Sequence, residues 1–172
     1  DYLQLSFFSP VCNFADYCIS IGTVLLVIYL LFYSDSKDEK KVEINLIDFR
    51  DYTTDPHNKV DDTPYGGGCG MVLTCQPIFD CIDDIKTDDA KVILLTPDGK
   101  TYNQSIAYDL SKEKHIILIC GHYEGFDERI SSIVDEEISI GDYVLTGGEL
   151  PAMVVSDSII RLLDGVITGT SL

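Results

Sequence analysis

Three glycine-rich turns, each directly after an apolar strand, are the segments of this sequence best suited to ligand chemistry. They are LLTPDGK (94–100), CGHYEGFDER (120–129) and SIGDYVLTGGELP (139–151). Ligands of open parallel sheets bind beyond the carboxyl ends of the strands, and glycine there lets bare backbone approach the ligand closely. We expect the turns to enclose one small planar ligand, such as an adenine nucleoside. The alternative is that they are only tight turns.

The glycine spacing does not match a phosphate-binding loop. Neither G-x-x-x-x-G-K-[ST] nor G-x-G-x-x-G occurs in the chain. The turn at residues 146–149 has Glu149 where a P-loop has lysine. A ligand without phosphate therefore fits better.

The elements that position these turns alternate between strand and helix, and the strands are apolar on both faces. This pattern predicts an α/β fold, a mostly parallel sheet flanked by helices. Residues 48–70 lack periodicity and predict a long loop, and Asn103 is the expected N-cap of one helix. The predicted strands lie at residues 42–47, 92–95, 116–120 and within 130–140, and the helices at 76–85, 103–114 and 149–163.

Composition and charge exclude several classes of protein. Hydrophobic residues make up 45% of the 172 residues, so a core is expected rather than disorder. Twelve Lys and Arg against 29 Asp and Glu give a net charge of −17, which is unsuited to nonspecific nucleic-acid binding. A nucleic-acid role must depend on a local patch, a partner subunit or another part of the protein.

The six cysteines form no C-x-x-C pair and indicate buried thiols in a reducing compartment.

The N-terminal region contains an uncharged run of 18 residues at 17–34. That length makes a membrane span a candidate. A core helix or strand pair is the favoured interpretation, because the run includes Gly22 and Thr23 and no basic cluster flanks its start. No basic region of a cleavable signal peptide precedes it.

Four longer runs are HNKVDDTPYGGGCGMV (57–72), QPIFDCID (76–83), CGHYEGFDERI (120–130) and DEEISIGDYVLTGGELPAM (135–153). Together they closely resemble the bacterial tRNA (guanine-37, N1) methyltransferases, the TrmD family, from about residue 42 to 167. The resemblance implies a SPOUT-type fold with a deep C-terminal trefoil knot, an exception to the rule that chains do not thread loops. It also implies a cytoplasmic homodimer without stable membrane association.

The resemblance implies an S-adenosylmethionine pocket inside the knot. His122 stands where the family usually has arginine, so an imidazole replaces a permanent cation. Leu94 and Thr96 replace the tyrosine and serine that are frequent in the family. The implied pocket residues are Leu94, Leu95, Thr96, Gly121, Tyr123, Glu124, Gly125, Ile140, Gly141, Tyr143, Leu145, Gly147, Gly148 and Pro151.

Methyl transfer to guanine N1 needs a carboxylate base and a donor that stabilises charge on O6. The resemblance assigns the guanine contact to Arg161 and the orientation of substrate or donor to Glu124. Without the resemblance, the expected role of Arg161 is an i,i+4 pair with Asp157. The expected role of Glu124 is then to cap the helix that follows. The family's general-base aspartate is expected beyond the last residue, since no aspartate follows Asp164.

Contacts with tRNA are implied for the loop at residues 51–70. The implied residues are His57, Lys59 and Asp61, with residues 64–70 packed near the knot. The glycine run at 66–68 alone would predict only a flexible turn. The family also implies magnesium during transfer, although no residue here is predicted to ligate a metal.

These observations predict a tRNA guanine-N1 methyltransferase that uses S-adenosylmethionine. The expected organisation is a divergent segment at residues 1–41 and a donor-binding domain at residues 42–172, without the family's C-terminal tRNA-binding domain. One alternative is a truncated or degenerate module that binds the donor and dimerises but transfers no methyl group. The other is a chain anchored to a membrane by residues 17–34.

Overall fold

The computed structural model describes residues 42–122 and 124–166. The chain divides into two compact units, residues 1–44 and 45–172, and the elements below belong to the second. The divergent segment at residues 1–41 and its apolar run at 17–34 lie outside the described residues. Within the described part of the chain, no helix has the length and apolar content needed to cross a membrane.

A parallel sheet of three strands forms the centre of the second unit, and the strand that comes first along the chain lies in the middle. Its strands are β3 (Ala90–Thr101), β4 (His115–Cys120) and β5 (Glu136–Ser139). The continuous apolar runs predict strands that are buried on both faces. Val92 and Ile93 are both 0% exposed, as this prediction requires. The predicted α/β class with a mostly parallel sheet is therefore confirmed for this unit.

Helices cover both faces of the sheet. On one face, α1 (Cys75–Ile85) packs its Ile78 and Ile82 against Val92 and Leu94. On the other face, α2 (Gln104–Leu110) and α3 (Glu149–Ile160) pack against Ile93 and Leu95. Successive strand residues point to opposite faces, so alternate residues of the run 92–95 belong to different cores.

The loop before α1 is more ordered than its sequence predicts. It contains a 3-10 helix (Phe49–Tyr52) and two short antiparallel strands, β1 (Asp61–Asp62) and β2 (Val72–Leu73). The strand predicted at residues 42–47 is not formed, and this prediction was wrong. Leu46 is 80% exposed, so the apolar residues of that segment have no core to face.

The outer strands β4 and β5 end beside the same part of β3, at the carboxyl edge of the sheet. Leu95 pairs with Cys120 of β4 and with Ile138 of β5. The predicted end of β3 at residues 96–99 is instead a bulge, because Lys100 pairs again with Ile138. The bulge keeps β3 in the sheet while its four extra residues project at this edge.

Candidate functional site

Three corners lie at the carboxyl edge of the sheet. The first corner is the bulge at residues 96–99 within β3, the second is residues 121–122 and 124–127, and the third is residues 140–148. The Gly148 N–H donates to the Gly121 carbonyl over 2.8 Å, and His122 pairs with Gly147 in an antiparallel bridge. The first corner packs on β5, the strand that leads into the third. The fold thus brings the three predicted turns to one edge.

Gly148 allows the second and third corners to touch through their backbones. A Cβ on Gly148 would lie 2.7 Å from Cys120 Cα and 2.8 Å from Gly121 N. Both atoms belong to the backbone at the end of β4, so they cannot move aside cheaply. Glycine is therefore required here by the close approach of two chain segments, whether or not a ligand is bound.

Leu94 and Leu95 contribute to this edge through their backbone only. Their side chains are 4% and 5% exposed and fill the cores on opposite faces of the sheet. Thr96 is half-buried at the start of the first corner. The two leucine side chains therefore form no apolar wall for a ligand at the corners.

The second corner is held in place by the segment around β2. Leu73 N–H donates to the Gly125 carbonyl and Asp127 N–H to the Leu73 carbonyl, over 3.0 and 2.9 Å. Glu124 N–H donates to the Met71 carbonyl over 3.1 Å, and its exposed side chain packs against Gly70. Tyr123, another predicted pocket residue, lies outside the described residues.

Asp127 is a residue of this corner that the sequence interpretation missed. Its carboxylate accepts from Arg129 N, Nε and Nη2 at 3.0, 2.9 and 2.6 Å and caps the 3-10 helix Glu128–Ser132. The side chain is 8% exposed, and the hydrogen bonds from Arg129 lower the pKa of Asp127. The capping role considered for Glu124 belongs to Asp127.

The third corner combines a buried hydroxyl with exposed apolar side chains. Ser139 Oγ donates to the Gly141 carbonyl over 2.9 Å, which fixes the start of the corner beside half-buried Ile140. Pro151 is half-buried in the first turn of α3. The large apolar side chains exposed on this corner and on the first turns of α3 are Tyr143, Val144, Leu145, Leu150 and Val154.

Two side chains connect the second corner to the start of α3. His122 Nε2 lies 2.5 Å from Glu149 Oε1, and the two side chains are 39% and 56% exposed. Cys120 lies beneath them, and burial together with the charge of Glu149 raises its pKa to about 12. Its thiol therefore stays protonated and is unsuited to act as a nucleophile.

Arg161 is not brought to the corners within one chain. It follows the last residue of α3, whose 12 residues span roughly 18 Å from the third corner. The side chain is exposed, and in the described part of the chain Asp157 contacts it only through a backbone hydrogen bond, Arg161 N–H to the Asp157 carbonyl. The alternative of an i,i+4 ion pair is not seen.

The loop predicted to contact tRNA is organised around Asp55. Its carboxylate accepts from the backbone N–H of His57 and of Lys59 over 2.8 and 3.3 Å, which lowers the pKa of Asp55. His57 and Lys59 are exposed, and Asp61 is half-buried in β1.

Among the residues that the structure describes, no group of three His, Cys, Asp or Glu side chains is placed to hold a metal ion.

Comparison with known proteins adds an independent line of evidence. The model of the family described as tRNA (guanine-1)-methyltransferase TrmD matches residues 31–172, a longer stretch than the motifs indicated. The chain is 63% identical over 131 residues to the tRNA (guanine-N(1)-)-methyltransferase of Malacoplasma penetrans, covering 76% of this chain and 58% of that protein. It is 56% identical over 132 residues to the protein of the same name from Dictyoglomus turgidum, covering 77% and 54%. The chain thus spans about half the length of the curated relatives that it matches.

Proposed function

The chain belongs to the TrmD family of tRNA (guanine-1)-methyltransferases, and from this we propose that it transfers the methyl group of S-adenosylmethionine to N1 of guanine 37 in tRNA. The observation that carries the proposal is the backbone contact between the second and third corners. That contact joins two of the glycine-containing turns, and the pairing of β3 with β4 and β5 brings the first corner to the same carboxyl edge of the parallel sheet, where such folds bind ligands.

The chemistry of the corners fits the donor. Gly125 has a φ of +135° and open space where a side chain would stand, so a ligand can approach its backbone. The exposed carboxylates of Glu124, Asp142 and Glu149 border the corners and favour a cation such as a sulfonium. When bound, S-adenosylmethionine would supply an electrophilic methyl group, while the corner backbone would orient its adenosine part. We also propose a SPOUT-type knot, in which the backbone of one corner passes through the loop that another corner forms.

Arg161 would stabilise the negative charge that develops on guanine O6. The reacting atoms of a transfer must approach to about 3–3.5 Å. Because Arg161 and the corners lie at opposite ends of α3, we propose that a second copy of the chain brings its Arg161 to the corners. The exposed apolar side chains of the third corner and α3 are then candidates for the dimer interface.

The loop at His57 and Lys59 would contact tRNA, since both side chains are exposed and Asp55 fixes the backbone between them. Asp61 would orient the same loop from β1. We further propose a cytoplasmic location and a need for magnesium during transfer.

The proposal is tested by incubating the purified protein with tritiated S-adenosylmethionine and a tRNA transcript that carries guanosine at position 37. We expect label in this tRNA and none in a matched transcript with adenosine at that position. Donor binding without any transfer would contradict the proposed transferase and support a donor-binding module. Transfer to both transcripts would contradict the proposed target.

A further inference from the structure

We propose that His122 and Glu149 are positioning residues that hold the second and third corners closed around the methyl donor. The proposal rests on the proposed function, since it concerns the same pocket. It starts from the 2.5 Å contact between His122 Nε2 and Glu149 Oε1, which joins the second corner to the first residue of α3.

The backbone around this contact explains why the two side chains meet. The bridge between His122 and Gly147, together with the hydrogen bond from Gly148 to Gly121, lays the end of the third corner across the start of the second. The imidazole then passes directly over Gly147, where a Cβ would lie 2.7 Å from His122 Cε1. Because Gly147 has no side chain, the His122 imidazole can lie over it and contact Glu149.

The charges around the pair favour a contact that persists. Glu149 lies in the first turn of α3, where the helix dipole stabilises a carboxylate. The neighbouring Cys120 thiol stays protonated, because burial and Glu149 raise its pKa to about 12, and so it adds no competing charge. A hydrogen bond to a charged carboxylate is stronger than one between neutral groups. The pair adds a side-chain connection to the backbone contacts that join the two corners.

A double-mutant cycle on donor affinity tests the pair. His122→Ala and Glu149→Ala should each weaken S-adenosylmethionine binding about tenfold, and the double variant should bind no worse than the weaker single variant. His122→Arg should restore affinity to within about threefold, because a guanidinium also donates to Glu149. The measurement is isothermal titration calorimetry, with the unfolding midpoint of each variant recorded alongside.

Asp109 and Lys112 provide the matched control. They form an exposed ion pair of 2.8 Å at the end of α2 and touch none of the corners. Asp109→Ala and Lys112→Ala should leave donor affinity unchanged. Additive losses in the cycle, an unchanged affinity in folded His122→Ala, or no recovery in His122→Arg would each overturn the proposal.

Hydrogen exchange without the donor separates this inference from the proposed function. The Gly148 amide donates to Gly121, so opening of the corners exposes it. We expect its exchange to accelerate about tenfold in Glu149→Ala and to stay unchanged in Asp109→Ala. If the parent chain fails to bind S-adenosylmethionine, the proposed function is wrong, and this exchange difference still decides whether the pair closes the corners.

Discussion

At the scale of single residues, Asp127 shows how one carboxylate stabilises a corner. It is nearly buried, caps a 3-10 helix and accepts two side-chain hydrogen bonds from Arg129. These bonds lower its pKa, so the folded state binds its proton more weakly than the unfolded state does. The stabilisation is therefore present above the ordinary aspartate pKa of about 3.9 and is lost as the pH falls through the lowered value.

Asp127→Ala should lower the free energy of unfolding by about 1–2 kcal/mol at pH 7, since a cap and a charge-assisted pair are lost. Urea unfolding at pH 7 and near pH 3 measures the difference between variant and parent, which should shrink at the lower pH. Glu128→Ala, at the exposed neighbouring position, is the control. An equal loss at both pH values would show that the charge of Asp127 is not involved.

Gly148→Ala should destabilise the fold by about 1–3 kcal/mol, because its Cβ would overlap backbone at the end of β4. Thr146→Ala, at an exposed position of the same corner, should be nearly neutral. Urea denaturation separates the two variants. Unchanged stability combined with lost donor affinity would instead place the ligand beside Gly148.

Residue-level prediction succeeded where a side chain has a local reason for its position. Asn103 was predicted as an N-cap, and its side chain accepts from Ser105 N and Ile106 N. The contact of His122 with Glu149 joins residues 27 positions apart, so only the fold reveals it. The role of Asp127 has a local signal, an aspartate two residues before an arginine, but Glu124 was the carboxylate expected as the alternative cap of this helix.

At the scale of elements, hydrophobic pattern predicted the strands that are buried on both faces. The runs in β3 and β4 are continuous and apolar. The strand β5 begins with Glu136 and Glu137, so hydrophobic pattern does not indicate its first residues. The turn signal at Pro97 and Gly99 predicted the end of β3, but the chain returns to the sheet after a bulge. The strand β1 consists of two aspartates, a residue depleted in strands, and exists because its backbone pairs with Val72 and Leu73.

Asn103→Ala should cost about 1 kcal/mol of stability, because α2 is short and two of its first N–H groups lose their acceptor. Gln104→Ala, on the next exposed position, should change stability by less than half as much. Thermal unfolding of the two variants provides the comparison. Equal losses would mean that the cap does not hold the N-terminus of α2.

At the scale of the whole molecule, the separation between Arg161 and the corners has the largest consequence. It implies that one chain alone does not complete the proposed transfer site. The helix predicted at residues 149–163 already implies this separation, because a rise of about 1.5 Å per residue places Arg161 far from the third corner. The net charge of −17 confines the proposed tRNA contact to local patches such as the loop at His57 and Lys59, since nonspecific binding needs clustered cations.

Arg161→Ala should reduce methyl transfer at least about 100-fold while donor affinity stays within about twofold, because its guanidinium acts on the guanine. Transfer of tritium and calorimetry report the two quantities. Lys86→Ala, another exposed cation, is the control. An equal fall in donor affinity and transfer would make Arg161 a structural residue.

Val144→Glu should convert a dimer to a monomer and abolish transfer, since Val144 is 82% exposed and has little role in folding the single chain. Sedimentation velocity measures the mass. Tyr108→Glu, at an exposed position on α2, should leave both mass and rate unchanged. Retention of the dimer in Val144→Glu would place the interface elsewhere.

Hydrogen–deuterium exchange with and without S-adenosylmethionine tests the central claim most directly, because the claim concerns backbone groups at the three corners. We expect the donor to slow exchange at Gly125, Gly141 and Gly147, and to leave unchanged the groove between α1 and residues 132–135 at the opposite edge. Slowed exchange confined to that groove, or unchanged corners at saturating donor, would contradict the account.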